Sequence, residues 1–157
     1  MDSMSSFYIE NNVLIKYDGA EERVVIPENV KVIGKNAFLE NRFVASVVLG
    51  SNVCEIEDGA FQYCRSLKDI TLPDGLRKIG ANAFAWCKNL KRIVIPLSVM
   101  EIGERAFEEL IAQNDGDRLL ILCEICKPLF RLPRGWSRHW LGQNGKKSAR
   151  VVWDCKI

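Results

Sequence analysis

The pair Ala-Phe recurs every 23 residues, at Ala37-Phe38, Ala60-Phe61, Ala83-Phe84 and Ala106-Phe107. A fixed period of this length means stacked units, none of which can bury its apolar face alone. Setting residues 21–43, 44–66, 67–89 and 90–112 in four rows brings further columns into line. Val24, Val47, Ile70 and Ile93 share one, and Ile26, Leu49, Leu72 and Ile95 share the next but one. Val30, Val53, Leu76 and Val99 form a third; Ile33, Ile56, Ile79 and Ile102 form a fourth. With the Ala and Phe columns, six columns are apolar in every row, and a solenoid of stacked repeats buries all six.

The spacing within a row predicts its local structure. Val24 and Ile26, Val47 and Leu49, Ile70 and Leu72, and Ile93 and Ile95 stand at i and i+2, the period of a strand with one face inward. Pro27, Pro73 and Pro96 end three of these strands and Gly50 fills the slot in the second row. The steps Ile33-Gly34, Ile79-Gly80 and Ile102-Gly103 read as turns, with Glu57 in place of Gly in row two. After each, a short helical turn is expected to carry Ala and Phe inward. The expectation is a parallel sheet along one side of the stack, its strands about 4.8 Å apart.

Leu67, Ile70, Leu72, Pro73, Ile79, Gly80, Ala83, Phe84 and Cys87 give a row that resembles the BspA-type leucine-rich repeat family, known mainly from bacteria. Residues 7–17 are similar to that family's opening strand pair, and residues 120–124 with Gly135, Trp136, Trp140, Val151 and Trp153 resemble its closing cap. The resemblance covers nearly the whole chain. It implies one α/β repeat domain over 1–157, a right-handed solenoid with a parallel β-sheet on the concave face, short helical turns and two caps. The expected divisions are an N-terminal cap at 1–20, four repeats at 21–112, and a C-terminal strand and Trp-containing cap at 113–157. Residues 113–117 depart from the repeat and read as an insertion of about four residues. For secreted members with many repeats, the resemblance implies adhesion and binding of host proteins.

Composition excludes rather than selects. The longest apolar runs, such as residues 119–123, are far too short to cross a bilayer, and no signal peptide is visible at residues 1–6. Cys64 and Cys87 fall in one inward column with Asn41 and Leu110, so they read as buried thiols acting as small hydrophobes; Cys54 reads as exposed and free. Unpaired thiols and the lack of a visible leader favour a cytoplasmic location, with a secreted or surface-exposed one as the alternative if a leader was trimmed. Cys123 and Cys126 have metal-knuckle spacing, but the remaining candidates, His139 and Cys155, fit no known finger, and no metal site is assigned. The lone histidine has no partner carboxylate in catalytic spacing, and no phosphate loop or nucleophile elbow appears. No cofactor and no catalysis are expected.

Two surfaces remain. Residues 127–157 hold eight basic side chains and one acidic, net +7, whereas residues 1–126 hold 14 basic and 19 acidic, net −5. Arg131, Arg134, Arg138, Lys146 and Lys147 are the candidates for an anion contact there, a polyanion or nucleic acid being the alternative function. The leading candidate is the outward side of the sheet. Its central column is Val25, Val48, Thr71 and Val94, flanked by Arg23, Ser46, Asp69 and Arg92, then by Glu22, Ala45, Lys68 and Lys91. An apolar stripe edged with charge suits protein contact. The sequence therefore reads as a non-catalytic scaffold for a protein partner, monomeric or weakly self-associating, with nucleic acid disfavoured and no membrane insertion.

Overall fold

A computed structural model describes residues 6–90, 92–96, 98–108, 120–123 and 150–153; for Arg92 and the last two strands it describes the backbone. Strands β1 (Phe7–Glu10) and β2 (Val13–Tyr17) form an antiparallel hairpin. Asn11 and Asn12 connect them with φ of 49° and 65°, the doubly left-handed turn whose twist matches a two-residue hairpin. Each 23-residue row then supplies two strands. The first set is β3 (Arg23–Val25), β5 (Ser46–Val48), β7 (Asp69–Thr71) and β9 (Arg92–Ile95). The second set is β4 (Val32–Ile33), β6 (Glu55–Ile56), β8 (Lys78–Ile79) and β10 (Glu101–Ile102). Two further strands, β11 (Leu120–Cys123) and β12 (Arg150–Trp153), complete the described elements.

The parallel strands expected from the sequence are present, and a further sheet that the sequence did not suggest runs along the stack with them. β3, β5 and β7 pair in parallel at one side, with β9 against β7 and leading to β11 and β12 in parallel. On another side β1 and β2 are followed by β4, β6, β8 and β10 in one six-stranded sheet. The Ile-Gly step is therefore not merely a turn: the Ile column sits in two-residue strands whose register is Ile33 to Ile56 to Ile79 to Ile102. The insertion after row four is five residues rather than four, because Ile121 pairs with Ile93, 28 positions earlier instead of 23.

The expected helical turns are also replaced, for a physical reason. Along the Ala-Phe segment, alternate amides point two ways. Ala37 N donates to Gly34 O (3.1 Å), Leu39 N to Asn36 O (3.1 Å) and Asn41 N to Phe38 O (3.0 Å), closing turns within the row. Between them Asn36 N donates to Asp58 O (3.1 Å), Phe38 N to Ala60 O (2.7 Å) and Glu40 N to Gln62 O (2.9 Å), bonding to the next row. Left-handed residues stand four apart on either side of the pair: Asn36 and Glu40, Gly59 and Tyr63, Asn82 and Trp86, with Arg105 in the last row. A right-handed helix does not propagate through such residues, and no helix forms among the described residues.

The core is a stack of identical layers. Phe38, Phe61, Phe84 and Phe107 are buried, with successive ring centroids 4.7, 5.3 and 5.6 Å apart and the planes nearly parallel in the last two steps. Tyr17 continues the stack at 4.9 Å from Phe38, and Phe7 lies 4.9 Å from Tyr17. The hairpin thus covers the first phenylalanine with aromatic rings of its own, which a solenoid end requires. Five of the six apolar columns are buried throughout; in the sixth, Leu72 is only half-buried.

Glu57, the exception in the glycine column, has its own account. A Cβ at Gly34 would lie 2.6 Å from Leu14 O, and one at Gly80 would lie 2.5 Å from Asp58 N, so both rows must be bare there. Glu57 instead turns its carboxylate to use: Oε2 accepts the amide of Lys35 at 2.8 Å. From the same row, Asp58 Oδ1 accepts the equivalent amide of the third row, that of Ala81, at 2.8 Å.

Candidate interaction face

The backbone of β3, β5 and β7 places the predicted columns side by side. Arg23 pairs with Ser46 and Ser46 with Asp69; Val25 pairs with Val48 and Val48 with Thr71. Because Val24, Val47 and Ile70 point inward, their neighbours point out. Val25 is 59% exposed and Val94 37%; Thr71 is exposed and Val48 half-buried. Arg23, Lys68 and Asp69 are exposed and Ser46 is half-buried. Lys91 lies outside the described residues, as do Arg131, Arg134, Arg138, Lys146, Lys147, Cys126, His139 and Cys155.

Beside this face runs an open depression of about 520 Å³. Ala20 lines it together with Glu22, Ala45 and Lys68 of the third predicted column. Arg42, Phe43, Ser66 and Asn89 line it as well, and none of these belongs to the columns predicted from the sequence. Phe43 is 59% exposed, a large ring held open to solvent. Its backbone is fixed by Asn41, whose Oδ1 accepts from Phe43 N (3.0 Å) and Val44 N (3.1 Å) while Nδ2 donates to Gly19 O (3.0 Å). Ser66 Oγ donates to Arg42 O and Asn89 Nδ2 to Arg65 O, each at 2.6 Å. These side chains tie each row's rim to the one before it, so Arg42, Arg65 and Lys88 stand in one column, all exposed. Reading that column down the four rows would have found them.

Other polar groups are engaged in the stack itself. Lys78 Nζ lies 3.4 Å from Glu55 Oε1 on the second sheet, and that carboxylate raises the lysine pKa. Tyr63 stacks on Trp86 at 5.8 Å, and Lys88 Nζ lies 5.5 Å from the Trp86 ring centroid. Cys64 and Cys87 are buried as expected, and each thiol also donates to a carbonyl, Phe38 O and Phe61 O, at 3.0 Å. Burial pushes the Cys87 thiol well up. Cys54 is free but half-buried rather than exposed, its thiol 3.4 Å from Lys31 O. Among the described residues, no three His, Cys, Asp or Glu side chains gather as metal ligands, and no helix is long and apolar enough to cross a membrane.

The repeat pattern and its two ladders match a known family. The sequence profile described as "BspA type Leucine rich repeat region" matches residues 7–114 in six copies. The chain belongs to the BspA-type leucine-rich repeat family. Among solved structures, it is similar to a leucine rich cell surface protein from Faecalibacterium prausnitzii, with 28% identity and a TM-score of 0.65 over 74% of this chain. That match spans only 31% of the longer F. prausnitzii chain. A leucine-rich repeat protein from Bacteroides capillosus is 34% identical, with a TM-score of 0.56, covering 61% of this chain and 80% of that one. The leucine-rich repeat protein of T. pallidum shares the fold at 22% identity and a TM-score of 0.57, covering 85% and 82% of the two chains. A search of curated proteins finds no match.

Proposed function

We propose that this BspA-type solenoid is a non-catalytic scaffold that takes a protein partner on the exposed face of β3, β5, β7 and β9. The observation that carries the reading is the outward column Val25, Val48, Thr71 and Val94, where solvent alone would favour polar residues, yet Val25 and Val94 remain exposed. Arg23 and Asp69 beside it supply a charged rim, the arrangement in which an apolar centre gives affinity and the rim gives register. The family membership supports protein binding in general, and the rigid stacking of short strands presents the column without an ordering cost. A surface or secreted location is part of this reading in place of the cytoplasmic one: the F. prausnitzii relative is described as a cell surface protein. Thiols as enclosed as Cys64 and Cys87 say little about redox compartment.

The test is affinity capture with wild type and two variants, Val48→Glu/Thr71→Lys/Val94→Glu on the face and Arg131→Glu/Arg134→Glu/Arg138→Glu in the C-terminal segment. The expected result is a captured protein lost with the face variant alone. A partner retained by the face variant and lost with the C-terminal one would move the function to the basic segment and reject this reading.

A further inference from the structure

Arg42, Arg65 and Lys88 occupy one position in three successive rows, and Arg42 lines the depression together with Lys68. All four are exposed, and no described carboxylate forms an ion pair with any of them. Acidic side chains nearby in the chain or the lining include Glu22, which lines the depression, Glu40, two residues before Arg42, and Asp69, next to Lys68. Like charges one strand spacing apart, about 4.8 Å, repel one another unless something anionic lies along them. The rim beneath them is fixed by the Ser66 and Asn89 bonds to the carbonyls of Arg42 and Arg65, so the row is preorganised.

We propose that Arg42, Arg65, Lys68 and Lys88 dock an acidic, extended segment of the protein partner, laid along the stack beside the sheet. This rests on the scaffold reading and adds the chemistry of the partner. Three rows span about 10 Å, the length of about three extended residues. The exposed Phe43 ring at the first-row end offers a seat for an apolar side chain among the acidic ones. That seat favours a peptide over a polyanion, which carries charge but no aliphatic group. A single strand of nucleic acid would want a run of open aromatic faces for successive bases; Phe43 offers one open ring, whereas Tyr63 and Trp86 stack on each other and Lys88 stands near the Trp86 ring.

The probe is a short fluorescent Glu/Asp peptide with one central Leu, read by anisotropy on the full chain at low and moderate salt. The expected result is salt-sensitive binding that Arg42→Glu/Arg65→Glu/Lys88→Glu weakens by about tenfold or more. Lys68→Glu is expected to weaken it by a smaller factor, and a Gly in place of the peptide's Leu to weaken it too. Arg131→Glu/Arg134→Glu/Arg138→Glu and the face variant Val48→Glu/Thr71→Lys/Val94→Glu are expected to leave this binding in place, so loss of partner capture with the face variant alone tests the scaffold separately. Unchanged peptide binding in the column variant, with its circular dichroism native, overturns the proposal. So does tighter binding of heparin or oligothymidylate than of the peptide through the same column.

Discussion

Replacing Phe61 by Ala tests the account of the core most directly. Phe61 is fully buried, with Phe38 at 4.7 Å on one side and Phe84 at 5.3 Å on the other. Emptying a buried Phe site costs about 3–5 kcal/mol in lost transfer energy and cavity. Each aromatic stack adds about 0.5–1.5 kcal/mol beyond burial, and here two are lost together. The expected loss is about 4–8 kcal/mol, a large share of the roughly 5–15 kcal/mol available to a domain. In urea, with an m-value of about 2 kcal/mol/M, the midpoint should fall by about 2–4 M. Phe61→Leu keeps most of the bulk and loses the stacks, so about 1–3 kcal/mol is expected. Leu39→Ala, at a 41% exposed position, should change stability by about 0.5 kcal/mol or less. The readout is urea unfolding followed by circular dichroism. A loss below about 2 kcal/mol for Phe61→Ala would refute the idea that stacked rings hold the rows together.

Gly80→Ala should destabilise by about 1–3 kcal/mol, since its new Cβ meets the backbone of the preceding row, while Gly75→Ala, whose nearest neighbour would be Ser51 O at 3.7 Å, should be neutral or slightly stabilising; thermal melts of the two decide it. Burial and the hydrogen bond to Glu21 raise the Tyr17 pKa to about 12. Because the unfolded chain loses this proton near pH 10, stability should be undiminished below that and fall between about pH 10 and 12, with Tyr17→Phe flattening the decline in urea titrations at each pH. Alkylation of the native protein followed by peptide mass spectrometry should label Cys54 and spare Cys64 and Cys87, which react only after denaturation. Lys78→Ala should cost less than about 1 kcal/mol and lose much of that at high salt, since its half-exposed bond to Glu55 is open to screening.

The inward columns were legible because stacking repeats the same demand in every row, and the strand period of two put Val25, Val48, Thr71 and Val94 outside without further information. The second sheet was not. A strand of two residues, such as Val32–Ile33, is too short to show alternation, so its inward Ile looked like the lip of a turn. The Ala-Phe segment looked helical because its inward residues cluster within one turn's length. The contrary signal was present in the column Asn36, Gly59 and Asn82, residue types that tolerate left-handed backbone, although Tyr63 and Trp86 in the companion column gave no such hint. Arg42, Phe43 and Lys88 lie outside the strand columns, in the turn that leads into each strand, where no apolar period marks a position.

A chain of near-identical rows faces an ambiguity during folding: one row can seat itself where its neighbour belongs and find nearly the same contacts, a whole unit out of step. Only residues that differ between rows can penalise the mistake. Glu57 marks its own place, since its carboxylate needs the Lys35 amide, and the row after it needs the bare backbone of Gly80 against Asp58. Asn41 marks another, where its two later counterparts are cysteines that bond a different carbonyl. The irregular positions are thus the addresses of an otherwise repetitive molecule, and exchanging Glu57 for the repeat's usual glycine should leave a protein that folds more slowly and to less uniform products.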